Sequence, residues 1–126
     1  MAKKQKRRCI AYLSTGDPCK NISVKEAGQL KCIREYALAQ DLDITDIYHR
    51  GGMGSFEVRK QFQMIADQIR KRKAEAVVVV KMSLVADNME DAYSKLGIIA
   101  GAGGCVYSVN EGELSLNLHM DIRKDA

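Results

Sequence analysis

The stretch AVVVV at residues 76–80 decides the fold class of this 126-residue chain. Its five consecutive apolar side chains must be buried on both faces, which is typical of a central parallel strand covered by helices on either side. The apolar spacing before and after it gives the order β-α-β-α-β-α-β-β. The sequence therefore predicts an α/β fold with three layers: a mostly parallel sheet of four to five strands with helices on both faces.

The other strands follow from the same spacing of apolar residues. Three of them are predicted at residues 8–14, 44–49 and 105–109. Strict alternation of apolar and polar residues at 114–122 predicts a last strand, which returns antiparallel to its predecessor at the edge of the sheet.

The three helices are predicted from their caps and their apolar faces. Ser23 and Glu26 have the spacing of a capping box for the first helix, and Asp87 or Asn88 is expected to cap the third. A glycine-rich loop at residues 51–55 precedes the second helix. The apolar faces are expected to consist of Ala27, Leu30, Ile33 and Ala37 in the first helix, Phe62, Ile65, Ala66 and Ile69 in the second, and Met89, Ala92, Tyr93, Leu96, Ile99 and Ala100 in the third.

The net charge of +4 is concentrated at the N-terminus. Five of the 20 lysines and arginines lie in residues 1–8, which leaves 15 basic against 16 acidic residues in residues 9–126. We therefore expect a basic tail at 1–8 and one near-neutral α/β domain at 9–126.

No apolar run has the roughly 20 residues of a membrane span and no secretion signal follows the tail, so the expected location is the cytoplasm, with no membrane partner. The four cysteines form no CxxC pair, and neither a metal site nor a cofactor is expected.

Candidate functional residues follow the predicted strands, because ligands of an open α/β sheet bind at the carboxyl ends of its strands. Ser14 supplies a hydroxyl that serves either as a nucleophile or as part of a turn. Arg59 and Lys60 lie near the start of the second helix, where a cation opposes the helix dipole; they indicate either a phosphate contact or a solvated face. The N–H groups of the loop at 51–55 are a further candidate for a phosphate contact, although the loop matches no nucleotide-binding motif.

Three segments of the chain match known motifs in order and spacing. Residues 12–17 (YLSTGD) align with Y-x-R-V-S-T, residues 48–55 (YHRGGMGS) with Y-x-D-x-G-x-S-G, and residues 79–88 (VVKMSLVADN) with V-x-K-x-D-R-L-x-R-N. Over residues 8–116 the chain thus resembles the N-terminal catalytic domain of serine recombinases, the group of resolvases, invertases and large serine integrases. The resemblance implies a resolvase-like fold and a role in DNA recombination.

The resemblance also implies where catalytic residues would stand. In the family, a serine attacks a DNA phosphodiester to form a phosphoserine link, and arginines stabilise the transferring phosphoryl group. Arg59, followed by Lys60, keeps the family's arginine. At the other aligned positions of the family's catalytic residues, this chain has different residue types. The nucleophile falls on Gly16, the aspartate on Ser83, and the other arginines on Ser14, Leu84 and Asp87.

These replacements lead us to expect a domain that does not cleave DNA and acts through protein contacts, as a homodimer or paired with an active recombinase. DNA binding is expected to be weak without a separate DNA-reading domain. Two alternatives remain open. If the first loop were two residues shorter, Ser14 would be the nucleophile and cleavage would use Ser14 and Arg59. Otherwise the domain is a module that binds a small phosphate ligand through Arg59, Lys60 and the loop at 51–54.

Overall fold

A computed structural model describes residues 6–15 and 21–114 of the chain. These residues form a single sheet from the strands β1 (Arg7–Leu13), β2 (Leu42–His49), β3 (Ala76–Val79), β4 (Cys105–Ser108) and β5 (Gly112–Leu114). The strands lie in the order β2-β1-β3-β4-β5, and each neighbouring pair is parallel except β4 and β5, which are antiparallel. The predicted mostly parallel sheet with an antiparallel edge strand is confirmed.

Helices cover both faces of this sheet. α1 (Ile22–Gln40) packs on one face, whereas α2 (Ser55–Arg70) and α3 (Met89–Gly101) pack on the other face and against each other. A 3-10 turn at Met82–Leu84 connects β3 to the segment before α3. The three predicted layers are therefore present, with one helix on one side and two on the other.

β3 lies at the centre of the layers, as its composition predicts. All four of its residues are fully buried. Val77 and Val79 belong to the core that contains Phe62 of α2, whereas Val78 belongs to the core that contains Ile33 of α1. Burial of each valine contributes about 1.5–3 kcal/mol, so this strand anchors the packing on both faces.

The start of α1 differs from the prediction. The helix begins after Asn21, whose side chain makes no capping hydrogen bond, and Glu26 forms no capping box with Ser23. The Glu26 side chain is buried, at 4% exposure. Glu26 is the first of the buried residues of α1, followed by Ile33 and Ala37. Ala27, next to Glu26 in the helix, therefore faces solvent rather than the core. The capping box and the position of Ala27 are therefore wrong predictions.

α3 is capped by one of the two predicted residues. Asn88 Oδ1 accepts a hydrogen bond of 2.8 Å from the N–H of Asp91. The ends of the helix are more exposed than predicted, since Met89 and Ala100 both lie in solvent. The helix packs through its middle turns instead, where Lys95 is buried.

The last predicted strand is described only at its beginning. Of residues 114–122, Leu114 ends β5, where it pairs with Val106 of β4. The rest of that strand lies outside the described residues, as does Gly16. No helix in the described residues is long and apolar enough to cross a membrane.

Candidate active site

The site lies at the carboxyl edge of the sheet, where β1 and β2 end side by side. Leu13 pairs with His49 in the parallel register, and the N–H of Arg50 donates to the carbonyl of Leu13 over 2.8 Å. Ser14 and Arg50 therefore follow their strands at the same level, next to each other.

Ser14 is fixed by hydrogen bonds on several sides. Gln29 of α1 binds its backbone twice, accepting from the Ser14 N–H at 2.9 Å and donating to the Ser14 carbonyl at 2.6 Å. The Ser14 hydroxyl donates to the carbonyl of Leu84 at 2.5 Å. With only 2% of its surface exposed, Ser14 directs its hydroxyl proton at a neighbouring loop rather than at solvent.

Arg50 places a guanidinium beside this hydroxyl. Its Nη1 lies 3.4 Å from both Ser14 Oγ and the carbonyl oxygen of Leu84, and its Nε donates to the carbonyl of Met53 at 2.8 Å. Ser14, Arg50 and Leu84 form one group, the strand-end cluster. The motif search did not single out Arg50, although the aspartate of Y-x-D-x-G-x-S-G falls on it and the strand register brings it next to Ser14.

The glycine-rich loop after β2 is tied to α1 by Glu26. This buried carboxylate accepts hydrogen bonds from the N–H of Gly51 at 3.0 Å and from His49 Nδ1 at 3.1 Å. Gly51 has φ of 58°, a left-handed conformation that glycine adopts without strain. The first N–H of the loop at 51–55, which the sequence suggests for a phosphate, is directed here at a carboxylate of the protein itself.

Arg59 reaches from α2 to α3. Its Nη2 donates to Ser94 Oγ at 2.6 Å, and its Nη1 lies 3.8 Å from Asp91 Oδ1. The other oxygen of Asp91 accepts a 2.5 Å hydrogen bond from Lys95, which is only 1% exposed. Arg59, Asp91, Ser94 and Lys95 form the helix-pair cluster, whose central carboxylate is shared by two cations.

The electrostatics of this cluster favour an ionised Asp91. Burial by itself raises the pKa of the Asp91 carboxyl, but hydrogen bonds from Lys95 and from the N–H of Asp87, together with the charges of Lys95 and Arg59, lower that pKa below its ordinary value of 3.8. The buried ammonium of Lys95 therefore has an anionic partner at neutral pH.

Asp87 and Ser83 belong to the loop between β3 and α3. The Asp87 carboxylate accepts a hydrogen bond of 2.6 Å from Ser55 Oγ, at the first residue of α2, and thus stands where the helix dipole favours a negative charge. Ser83 is exposed. Glu111 fixes this loop, since its carboxylate accepts from the N–H of Met82 at 3.0 Å.

Lys60 does not join Arg59. Its Nζ lies 5.3 Å from the ring centroid of Phe56 on the outer surface of α2, in a cation–π contact. The structure thus brings Ser14 and Leu84 together and connects Arg59 to Asp87 through Asp91, whereas Lys60 points elsewhere. The burial of Lys95 and Glu26 was not predicted from the sequence. Their spacing was a signal, since Glu26 lies four residues before Leu30 and Lys95 four residues before Ile99, both on predicted apolar faces.

Comparisons with known proteins agree with this fold. The family model of the resolvase N-terminal domain matches residues 10–124. The chain therefore belongs to the resolvase family of serine site-specific recombinases and is a recombination-related domain. The comparison with curated proteins finds no matching sequence.

Three solved structures share the fold at low sequence identity. A resolvase-family site-specific recombinase from Streptococcus pneumoniae is 22% identical with a TM-score of 0.73, over 95% of this chain and 89% of the other. The N-terminal catalytic domain of TP901-1 integrase is 19% identical with a TM-score of 0.68, over 94% and 92%. The C-terminal catalytic domain of ISC1926 TnpA, an IS607-like serine recombinase, is 11% identical with a TM-score of 0.63, over 94% and 77%.

Proposed function

We propose that this resolvase-family domain does not cleave DNA and acts in the cytoplasm through protein contacts, with a second copy or with an active recombinase. The observation that carries the proposal is the state of Ser14. A nucleophile must reach a phosphorus atom with a base ready to take its proton. Ser14 is almost fully buried and its hydroxyl is directed at the Leu84 carbonyl, so it is not placed to reach a phosphorus atom.

The charges around the site support the same conclusion. Phosphoryl transfer needs positive groups aimed at the developing charge, and loss of one such donor costs about 10²–10³ in rate. Of the proposed arginine columns only Arg59 holds an arginine, and that guanidinium is engaged by Asp91 and Ser94. Asp87 adds a negative charge where the alignment has a cation.

Cleavage is tested on supercoiled plasmid DNA, with an active serine recombinase on its own sites as positive control. We expect no nicked product and no covalent protein–DNA adduct on a denaturing gel. Nicking by the natural chain that disappears in Ser14→Ala but persists in Ser83→Ala, a matched change at an exposed serine, would establish the relocated nucleophile instead.

Exposed apolar side chains on α2 support the protein contacts. Phe56 is 68% exposed and Met64 is 53% exposed, whereas large apolar side chains on the other face of the helix are buried. Sedimentation equilibrium at increasing concentration should show a dimer that Phe56→Ser weakens. Leu38→Ser, at a position on α1 that is 77% exposed, is the control and should leave the association unchanged. A natural chain that stays monomeric and does not pair with an active recombinase would contradict the proposal.

We further propose the division into a basic tail at residues 1–8 and a domain at 9–126, with only weak DNA binding by the tail. Two of the tail's five bases lie in β1, where Arg7 donates to Tyr107 Oη at 2.7 Å and Arg8 pairs with Glu75 at 3.2 Å. Lys6 lies 3.7 Å from Asp41 in an exposed pair that is weak in solvent, so three lysines at most remain for phosphate contacts. The slope of log affinity against log salt on duplex DNA should be no steeper than about −3.

A further inference from the structure

Arg50 is the one half-buried arginine of the described residues that has no carboxylate partner. Arg8, Arg59 and Arg70 each lie within 4 Å of a carboxylate. Arg7, Arg34 and Arg72 do not, but all three are exposed. Among the described residues, Arg50 has no carboxylate at that distance; its contacts are the carbonyl oxygens of Met53 and Leu84 and the hydroxyl of Ser14. The guanidinium is therefore held in place by neutral groups.

Among the described residues, the positive charge of Arg50 has no anionic partner and some of its N–H donors have no acceptor. Arg50 is half-buried, so some of its hydration is lost, and among the described residues no carboxylate lies within 4 Å of its guanidinium to compensate. The nearby Glu26 carboxylate binds the adjacent residues His49 and Gly51 instead. A guanidinium has five N–H donors in a rigid fork. Nε and Nη1 are occupied, whereas Nη2 has no hydrogen-bond acceptor among the described residues. An oriented cation with free donors is suited to binding an oxyanion.

We propose that Arg50 is the anion-binding residue of the carboxyl edge and that it takes a single phosphate group, either free or as a unit of a DNA backbone. Its fork and its place next to Ser14 supply the contact, and the acid-paired Arg59 contributes little. The inference goes beyond the proposed function, because binding a phosphate requires neither cleavage nor association of two chains.

The motif alignment agrees independently with this assignment. By the proposed alignment, the family's arginine falls on Ser14 and the aspartate of the second motif falls on Arg50, so this chain has its cation at the end of β2 and not at the end of β1. The register makes such an exchange feasible, because the two positions are adjacent at the edge of the sheet.

The first test titrates the full chain with inorganic phosphate at constant ionic strength and follows amide signals by NMR. Arg50→Gln should weaken phosphate binding by about tenfold or more, as expected for the loss of hydrogen bonds to a charged group. Arg70→Gln, which alters an exposed arginine at the end of α2, should stay within about twofold of the natural chain. Arg50→Lys, which keeps the charge without the fork, should give an intermediate affinity.

The second test uses a duplex of about 20 base pairs, and fluorescence anisotropy reports its binding. Binding that Arg50→Gln weakens, in a chain that takes no inorganic phosphate, identifies the DNA backbone as the source of the phosphate. Phosphate and duplex binding that are both unchanged in Arg50→Gln, or both absent from the natural chain, would overturn the proposal. Plasmid nicking is scored separately, so loss of phosphate binding does not bear on the proposed absence of cleavage.

Discussion

The strand-end cluster and the helix-pair cluster lie at the same edge of the sheet but differ in the partners of their positively charged side chains. In the helix-pair cluster, Lys95 and Arg59 share the carboxylate of Asp91. In the strand-end cluster, the contacts of Arg50 with the described residues are all to neutral oxygens. The first arrangement is a closed ion-pair network that serves packing between helices, whereas the second, as we propose, leaves a cation available to a ligand. An arginine at an edge of this kind therefore indicates function only after its partners are known.

The largest expected effect comes from breaking the closed network. Asp91→Ala leaves the ammonium of Lys95 buried without a partner, and we expect it to lower the free energy of unfolding by about 3–5 kcal/mol in urea denaturation. Asp67→Ala, which removes an exposed pair with Arg70, should cost under about 1 kcal/mol. Similar costs for the two variants would show that Lys95 is hydrated in solution.

The same network predicts that its stabilisation depends on the pair and not on either charge alone. In the double variant Asp91→Leu with Lys95→Met, apolar groups replace both ions, and most of the lost stability should return. A double variant as unstable as Asp91→Ala would mean that the loss arises from altered packing between α2 and α3.

Substitutions at Ser14 and Arg50 test the strand-end cluster, and we expect their effect on stability to be intermediate. Ser14→Arg forces a second guanidinium into a buried position beside Arg50, and we expect a loss of about 2–3 kcal/mol from overpacking and charge repulsion. Adding Arg50→Asp should restore about 1–2 kcal/mol, since contacting residues couple by this amount. Strictly additive losses in thermal unfolding would show that positions 14 and 50 are not coupled.

Acid should weaken the helix-pair cluster and leave the strand-end cluster unaffected. The pKa of Asp91 is lowered in the folded chain, so its contribution to stability is complete above the ordinary carboxyl pKa of 3.8 and is lost as the pH falls below that value. The loss should be smaller than in Asp91→Ala, because a protonated carboxyl still forms hydrogen bonds. Unfolding measured from pH 6 to pH 2 should show a shallower acid dependence in the Asp91→Leu, Lys95→Met variant than in the natural chain.

The smallest effect concerns the charge between the two clusters. Asp87→Asn removes a negative charge near the proposed phosphate position and keeps an oxygen that accepts from Ser55. We expect phosphate affinity to rise about twofold, because charges near the surface interact weakly across solvent. An unchanged affinity, measured in the same NMR titration, would place the phosphate too far from Asp87 for the two charges to interact.

The sequence predicted most of the fold and less of the site. The run at residues 76–80 is apolar throughout and short, and the face containing Phe62 repeats with helical spacing. Both patterns predict buried elements, so their places in the core were predictable. Charged residues turned inward do not follow that rule. Glu26 and Lys95 are buried because a specific partner, Gly51 or Asp91, compensates them. The i, i+4 spacing of Asp91 and Lys95 is visible in the sequence, whereas no spacing points from Glu26 to Gly51.

The hydrogen bond from Ser14 to Leu84 has an evolutionary consequence. It joins two positions where, by the proposed alignment, related proteins carry arginine, and Arg50 contacts both atoms of that bond. An arginine introduced at either position alone would lie beside the Arg50 guanidinium, which now contacts both atoms of that hydrogen bond. On the proposed alignment, each single change to arginine would pass through a less stable protein, so we expect that arginine at both positions requires several substitutions at once.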